Sequence, residues 1–292
     1  MIVNTASLVT LTTAFSAMFN KGLRDAKPQW QSIATMVQSS SASQEYGILG
    51  HFAQIEEWID ERHTVAMKQH GYTIRNKMFA GTVEVRRTDI EDDQYGIYSP
   101  LMEELGRASA IHPDKLVFGL LKDGTSGKCY DGLPFFSASH PTGKTTASNL
   151  TTGAKPMWFL MDTSRALKPM IYQRRKDYQL VVKNQETDDS VFDRGVYKYG
   201  VDGRCNVGYG FWQMAHACSD TLDKDAVNEI RTAMQSLKND TGDPLYIQPD
   251  TIVVGPSNQA AAEELFLANY NAAGATNILY KAMTILVSPM LE

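Results

Sequence analysis

The stretch Val83–Gly124 constrains the fold more than any other part of this sequence. It begins with the end of a strand, because apolar and polar residues alternate there with a period of two. An acidic run follows, and then the longest helical pattern of the chain, with Ser99 as the predicted N-cap and Pro100 at the first helical position. The apolar face of this helix is predicted to comprise Leu101, Leu105, Ala108 and Ile111 or His112. Pro113 predicts a kink or break near His112, because a proline disfavours helical geometry in the residue before it.

The first 87 residues contain two segments with few positions for a core of their own. Met1–Gly50 is predicted to be an arm, with an amphipathic helix at about Leu8–Arg24 that ends before Pro28. The apolar face of this helix is expected to dock elsewhere, with a neighbouring chain as one option. His51–Arg87 is predicted to form a long projecting β-hairpin or loop, and a two-stranded ribbon is only marginally stable alone. Both segments indicate a chain that assembles.

The remainder of the chain has an α+β pattern. Two helices are predicted, at about Asp223–Leu237 and Ser257–Tyr270, and the buried strand Pro249–Gly255 lies between them. Tyr178–Lys183 and Ala282–Ser288 are predicted to be further strands.

Composition excludes several classes of protein. The chain has 292 residues, of which 43% are hydrophobic, and a net charge of −5, so it can bury a core but has no general attraction for nucleic acid. Its basic clusters, Arg86-Arg87 and Arg174-Arg175-Lys176, are interpreted as solvated or salt-bridged surface. Three cysteines without a CxxC pair favour reduced thiols over a disulfide framework. No apolar run reaches membrane-spanning length, and we expect a soluble, intracellular chain without a signal peptide.

One motif suggests an enzyme. Ala138–Thr145 fits the relaxed phosphate-loop pattern, in which backbone amides surround phosphates, a lysine binds the outer phosphates and a hydroxyl binds magnesium. That chemistry needs a preceding strand and an immediately following helix. Here Pro141 lies inside the loop, and the residues after Thr145 have no helical period. A nucleotide-binding enzyme that uses Ala138–Thr145 is therefore kept only as the alternative hypothesis.

The other titratable residues match no established catalytic or metal-binding pattern. Cys129 and His140 could act as nucleophile and base, but no local signature supports that pair. The six histidines show no metal-binding spacing. The acidic run could bind a divalent cation, but it lacks calcium-loop spacing, and a solvated or intersubunit surface is favoured. We therefore predict no catalytic residue, no metal and no cofactor.

Several segments then occur in a characteristic order along the chain. They are Thr82–Asp93 with Gly96–Tyr98, Leu116–Leu121, Cys129–Phe136 with His140-Pro141, Ala166–Lys176 and Tyr199–Gln213. None is diagnostic alone, but together they run through most of the sequence. In this combination the chain resembles the major head (capsid) subunits of Mu-like transposable phages and prophages.

The resemblance implies the α+β capsid fold of tailed phages, the Hong Kong 97 type. Its parts would be an N-terminal arm at 1–50, an extended β-hairpin loop at 51–87, a peripheral domain with a spine helix at 88–125 plus 275–292, and an axial domain at 126–274. The implied function is structural and not enzymatic. Copies would self-assemble into hexamers and pentamers that form an icosahedral head around double-stranded DNA, which they would not read by sequence.

The implied partners are other copies of the chain, scaffold and portal proteins and possible decoration proteins, with no membrane. Assembly would take place in the cytoplasm of the bacterial host, and the mature protein would belong to the virion. Within the shell, charged residues at the root of the extended loop are expected to meet those of neighbouring subunits. The basic candidates are Arg75, Lys77, Arg86 and Arg87, and the acidic ones are Asp89, Glu91, Asp92 and Asp93. Pairing of Arg86 and Arg87 with the acidic run inside one subunit is the other possibility.

Overall fold

A computed structural model describes residues 5–47, 49, 71–92, 94–142, 145–239, 242–270 and 274–292. Its helices are α1 (Thr5–Asp25), α2 (Arg87–Glu91), α3 (Tyr98–Lys122), α4 (Asp189–Arg194), α5 (Lys224–Gln235) and α6 (Gln259–Leu267). Its strands are β1 (Ala34–Gln38), β2 (Ser43–Glu45), β3 (Thr73–Arg75), β4 (Lys77–Arg86), β5 (His140–Thr142), β6 (Thr145–Ala147), β7 (Leu150–Thr151), β8 (Trp158–Met161), β9 (Met170–Lys183), β10 (Val196–Tyr209), β11 (Ala215–Cys218), β12 (Thr251–Val254) and β13 (Thr284–Val287).

Two larger sheets organise these elements. The long sheet has the strand order β1-β9-β10-β4, and the short sheet has the order β13-β12-β8-β11-β7. In the long sheet β10 is antiparallel to both β9 and β4, while β1 is parallel to β9. Two small hairpins, β2-β3 and β5-β6, lie outside these sheets.

Helices α1 and α3 cover one face of the long sheet. Side chains of β10 alternate between buried and part-exposed, as expected when one face of a sheet is covered. The covered face and α1 share a buried apolar cluster formed by Leu8, Leu11, Phe15, Val85, Ile90, Tyr98, Met102, Val191, Tyr197 and Tyr199. The predicted N-terminal helix is confirmed, and its apolar face docks on its own chain rather than on a neighbour.

The backbones of α1 and α3 come into direct contact where the helices cross. A Cβ atom on Gly106 would lie 2.1 Å from the carbonyl oxygen of Phe19, and one on Gly22 would lie 2.0 Å from that of Glu103. Beside the crossing, Lys21 Nζ forms a salt bridge of 2.8 Å with Glu103 Oε1. Only glycine permits this approach at both positions.

The buried face of α3 differs from the predicted one. Leu101 and Ala108 are exposed, and the buried positions are Tyr98, Met102, Gly106, Ser109, Pro113, Asp114, Val117, Phe118 and Leu121. The period count selected large apolar residues, whereas the close crossing with α1 requires small ones at Gly106 and Ser109. The helix begins at Tyr98, so Ser99 is a helical residue and not the cap.

Helix α3 continues through His112 and Pro113 to Lys122, so the predicted break is wrong. A proline removes one helical hydrogen bond, but tertiary contacts support this turn. The carboxylate of Asp114 accepts hydrogen bonds from the backbone N–H groups of Gln29 at 2.9 Å and Trp30 at 2.7 Å. These hydrogen bonds hold the segment that follows α1 against α3.

The end of the predicted extended loop belongs to the long sheet. Strand β4 pairs with β10 along its whole length, from Lys77 opposite Cys205 to Arg86 opposite Val196. Residues 77–86 are therefore an edge strand rather than half of an isolated ribbon. Residues 51–70 of the predicted loop lie outside the described residues.

The C-terminal half follows the sequence prediction closely. Helix α5 begins after Asp223, whose carboxylate caps it by accepting a 2.8 Å hydrogen bond from the N–H of Ala226. The predicted strands are found as the end of β9, as β12 and as β13, and the helix expected at Ser257–Tyr270 is found as α6. Within the described ranges, no helix has both the length and the apolar character needed to span a membrane.

Strands from different predicted parts of the chain share the two sheets. The long sheet joins β1 from the predicted arm, β4 from the predicted loop, and β9 and β10 from the predicted axial domain. In the short sheet, β13 pairs in parallel with β12. The division at residues 50, 87, 125 and 274 stays a prediction about the assembled protein.

Candidate assembly surfaces

The predicted contact residues lie at opposite ends of β4. Arg75 and Lys77 flank its start, and Arg86 and Arg87 follow at its end. A strand advances about 3.4 Å per residue, so the two basic groups are separated by roughly 30 Å. The structure therefore forms two separate charged surfaces and not one patch.

Arg87 is neutralised within its own subunit. Its Nε lies 3.0 Å from Glu91 Oε1, one turn along α2, and its Nη2 lies 4.0 Å from Glu186 Oε1. The hydrogen bond to Glu91 raises the pKa of Arg87 above its ordinary value. The sequence left open whether Arg87 pairs with the acidic run of its own subunit or of a neighbour. The salt bridge between Arg87 and Glu91 lies within the subunit.

Asp89 has a structural contact in the same region. Its carboxylate accepts a short hydrogen bond from the hydroxyl of Tyr98, which joins α2 to the first residue of α3. Burial, together with this hydrogen bond, raises the pKa of Tyr98. Asp89 therefore fixes the start of α3, and the described members of the acidic run, Asp89, Glu91 and Asp92, form no group suited to a metal ion.

The other predicted contact residues project into solvent. Arg75, Lys77, Arg86 and Asp92 are exposed, and none of the four has a salt-bridge partner in the part of the chain that the structure describes. Asp93 lies outside the described residues. Charged groups of a second molecule can reach these four side chains without breaking a salt bridge among the described residues.

The phosphate-loop-like motif does not have the required geometry. His140–Thr142 and Thr145–Ala147 are the antiparallel strands β5 and β6, with Thr142 opposite Thr145. Residues 143 and 144 between them lie outside the described residues. A strand stands where a phosphate loop needs the N-terminus of a helix, so the geometry gives the nucleotide-binding alternative no support.

Cys129 and His140 do come together, through a residue that sequence reasoning missed. Asp131 Oδ1 lies 3.0 Å from Cys129 Sγ, and Asp131 Oδ2 lies 2.6 Å from His140 Nδ1. The imidazole stacks on the ring of Trp212 with centroids 4.1 Å apart, and its Nε2 lies 3.3 Å from the carbonyl oxygen of Phe135. No sequence motif marks Asp131 as a partner of Cys129 and His140, because these contacts depend on the fold of the 129–140 loop.

This buried cluster is unsuited to nucleophilic catalysis. Burial and the hydrogen bond to Asp131 raise the pKa of the Cys129 thiol strongly, whereas a reactive cysteine must ionise near neutral pH. Burial opposes ionisation of Asp131, but hydrogen bonds from His140 and Cys129 outweigh it and lower the pKa of that carboxyl. The cluster therefore fixes the 129–140 loop against the short sheet.

Large apolar side chains are exposed at several other places, among them the end of the long sheet near α4 and the end of α6. Near the ends of the long sheet, Phe192 is 85% exposed and Val181 is 51% exposed. Around the end of α6, Leu267, Tyr270 and Ile278 are also exposed. Contiguous exposed apolar patches mark surfaces that meet another molecule, whereas isolated exposed apolar side chains are common on monomeric proteins.

Comparison with known proteins identifies the kind of molecule. Residues 8–291 match the family described as "Mu-like prophage major head subunit gpT". The chain belongs to this family.

Individual members of the Mu-like head subunit family agree over nearly the full length. The chain is 45% identical to the Mu-like prophage FluMu major head subunit of Haemophilus influenzae. This match extends over 267 residues and covers 87% of each sequence. It is 40% identical over 289 residues to the major capsid protein of Escherichia phage Mu, with 95% of each covered. Its fold matches a chain of the procapsid of bacteriophage JBD30 with a TM-score of 0.87 and 40% identity, over 99% of this chain and 100% of that one.

The matches confirm the α+β capsid fold of tailed phages. The chain is a major capsid protein of the Mu-like head subunit family and belongs to the virion. Its relatives are structural proteins and not enzymes, in agreement with the geometry of Ala138–Thr145.

Proposed function

We propose that this subunit assembles through hexamers and pentamers into an icosahedral shell around double-stranded DNA, in the cytoplasm of the bacterial host. The observation that carries the proposal is the agreement of the whole chain with a procapsid subunit, at a TM-score of 0.87. The net charge of −5 is compatible with this role, because confinement of DNA needs no tight grip on its phosphates. Scaffold, portal and possible decoration proteins are the other expected partners.

Charged contacts between subunits belong to the same proposal. The candidates remain the basic residues Arg75, Lys77, Arg86 and Arg87 and the acidic residues Asp89, Glu91, Asp92 and Asp93. Arg75, Lys77, Arg86 and Asp92 have the strongest support, because all four are exposed and none has a salt bridge among the described residues. Arg87, Glu91 and Asp89 have partners within the subunit, so they would contribute mainly by holding α2 in place.

The first test is assembly of the purified full-length chain. Light scattering should report large particles, and electron microscopy should show shells, tubes or capsomers of uniform size. A persistent monomer that turns over ATP would instead support the nucleotide-binding alternative.

The second test examines the charged contacts. The double change Arg86→Glu with Arg87→Glu should lower the yield of particles, because it introduces like charges where carboxylates are expected. A double change of equal charge at Lys155 and Lys224, which lie exposed in the C-terminal half, controls for net charge. Normal particles from the arginine variant would refute the role of these residues.

A further inference from the structure

Helix α4 displays one phenylalanine to solvent from a rigid support. It lies in the connection between β9 and β10, and Phe192 is 85% exposed while the adjacent Val191 is 5% exposed in the apolar cluster under α1. Gly195, with a φ of 60°, is the residue that caps the C-terminal end of the helix. The carbonyl oxygen of Gly195 accepts a 2.9 Å hydrogen bond from the N–H of Arg87. Phe192 is therefore held outwards by the fold and is not part of a loose loop.

The uncovered face of the long sheet contains an open apolar trough of about 280 Å³. It exists because Ala80 and Gly200 present little or no side chain there, between the side chains of Thr82 and Val181. The helices α1 and α3 lie on the opposite face, since Tyr199 points the other way and is fully buried. A closed apolar cavity of about 150 Å³ accepts benzene, so this trough has room for a phenylalanine ring.

Charges around the two features are complementary. Asp189 and Asp193 flank Phe192 and are exposed, and neither forms a salt bridge among the residues described here. Lys183 and Lys198 line the trough. Lys198 lies 3.5 Å from Glu84, whereas Lys183 has no salt bridge within the described ranges. Asp202 also lines the trough but is paired with Lys176, and Arg194 beside Phe192 is paired with Glu84. The charges left without a salt bridge among the described residues are therefore acidic beside Phe192, at Asp189 and Asp193, and basic beside the trough, at Lys183.

We propose that Phe192 of one subunit inserts into the trough formed by Ala80, Thr82, Val181 and Gly200 of a second copy, with Asp189 or Asp193 near Lys183. This inference rests on the proposed function, since only an assembling chain brings a second copy to this face. A second copy is the occupant because one chain supplies both complementary surfaces and Phe192 leaves its own trough empty. The contact is reciprocal about a twofold axis or runs head to tail around a ring.

Cross-linking in assembled particles tests the contact directly. Phe192→Cys is combined with Thr82→Cys or with Val181→Cys in the full-length chain, and particles are treated with a short bismaleimide. The natural thiols Cys129, Cys205 and Cys218 are buried and unpaired, so their background reaction should be low. Denaturing electrophoresis should show linked subunits for at least one combination, and only when particles have formed.

The controls separate this contact from chance proximity. Each single cysteine variant should stay unlinked, and so should Phe192→Cys combined with Lys155→Cys, which is exposed but away from the trough. Assembled particles with no link at Thr82 or Val181, or an equal link at Lys155, would overturn the inference. Failure of the unaltered chain to assemble would instead count against the proposed function.

A substitution series supplies an independent readout. Phe192→Ser should raise the subunit concentration needed for assembly by about tenfold or more, as expected for loss of a central aromatic anchor. Phe192→Leu should retain most of the assembly, and Ala80→Leu, which fills the trough, should impair it. Unassembled variants should keep the wild-type melting temperature, because these positions are exposed. If Phe192→Ser assembled at the wild-type concentration and lost only the binding of another head protein, the partner would not be a second copy.

Discussion

The two faces of the long sheet differ in what completes them. On the covered face, Val85, Tyr197 and Tyr199 are fully buried against α1 and α3. On the other face, Ala80, Thr82 and Gly200 border an apolar trough that nothing in the described part of the chain fills. Successive residues of a strand point to opposite faces, so alternate residues of β4 and β10 form the two surfaces.

The difference separates folding from assembly. The covered face has the glycine crossing of α1 and α3, the edge-on contact of the Phe15 and Tyr199 rings, and hydrogen bonds from backbone N–H groups of the arm to Asp114, all within one chain. The uncovered face has small side chains and part-exposed charges, so a substitution there should leave the isolated subunit intact. Paired substitutions on the two faces can test this separation.

The largest contrast should come from two phenylalanines. Phe15 is fully buried, and its ring meets that of Tyr199 edge-on with centroids 5.0 Å apart. Phe15→Ala should lower the free energy of unfolding by about 3–5 kcal/mol, because it removes a large core side chain and leaves a cavity. Phe192→Ala should change it by less than about 0.5 kcal/mol, as for most exposed positions.

Denaturant unfolding of dilute, unassembled subunits measures both values. Equal losses from the two variants would mean that Phe192 supports the fold of the isolated chain. The separation of the two faces would then be wrong.

The next effect concerns the helix crossing. Gly106→Ala places a Cβ 2.1 Å from the carbonyl oxygen of Phe19, so α1 and α3 must move apart. Overpacking of this kind costs about 1–3 kcal/mol, and a clash with backbone belongs at the upper end. Gly119→Ala in the same helix is the matched control, because a Cβ there meets no atom within 4 Å.

The control should be neutral or stabilise the subunit by up to about 1 kcal/mol, since alanine is the better helix former. Thermal unfolding of the two variants gives the comparison. A stable Gly106→Ala subunit would show that the crossing tolerates a wider spacing.

Local signals explain how much of this fold could be predicted. The N-terminal helix, α5 with its cap at Asp223, and the strands β12 and β13 have a clear period and clear ends, so the sequence specifies them. The face of α3 was mispredicted because it depends on contact with α1, about eighty residues away along the chain. A glycine at a helix crossing leaves no mark in a hydrophobic period.

Contacts between residues far apart along the chain explain which features of the candidate sites could not be predicted from the sequence. The charged run at 86–93 was found from composition, but the partner of Arg87 at Glu186 lies on the β9–β10 connection. The trough likewise combines β4, β9 and β10, and no single strand shows it. No sequence pattern singles out Phe192, because its exposure follows from the packing of the adjacent Val191.

A further effect should appear as a pH dependence of subunit stability, which arises from a buried histidine in β11 of the short sheet. Burial lowers the pKa of His216 to about 4, and its Nε2 lies 2.9 Å from the Thr151 hydroxyl. The unfolded chain takes up a proton at this histidine below about pH 6.5, whereas the folded subunit does so only near pH 4. Stability should therefore fall as the pH decreases from about 6.5 towards 4, by about 3 kcal/mol from this group.

Melting temperatures of the unassembled subunit between pH 7 and pH 4.5 should show this slope. His216→Gln keeps a polar side chain without a titrating ring, so it should flatten the slope. Burial also lowers the pKa of His112, and a residual slope of the same sign should remain in the variant. A slope that His216→Gln leaves unchanged would assign the effect to other groups.

The smallest effect on the subunit should come from the arginines at the end of β4. The side chains of Arg87 and Glu91 are 40% and 44% exposed, and exposed pairs of this kind contribute little to stability. Arg87→Gln should therefore reduce the stability of the subunit slightly, and salt should erase the difference because it screens the pair. Arg86→Gln should leave stability unchanged, since Arg86 has no salt bridge among the described residues.

Assembly should rank these two variants in the reverse order. Arg87 already has carboxylates of its own chain, whereas Arg86 can reach a neighbour without giving up a partner. Particle yield should therefore fall more for Arg86→Gln than for Arg87→Gln, and the loss should deepen with added salt, as expected when a charge between subunits is removed and the remaining ones are screened. If Arg87→Gln proved the more damaging to assembly while both subunits stayed folded, α2 and its salt bridges would themselves form the contact, and the separation of folding from assembly would not hold at this end of the sheet.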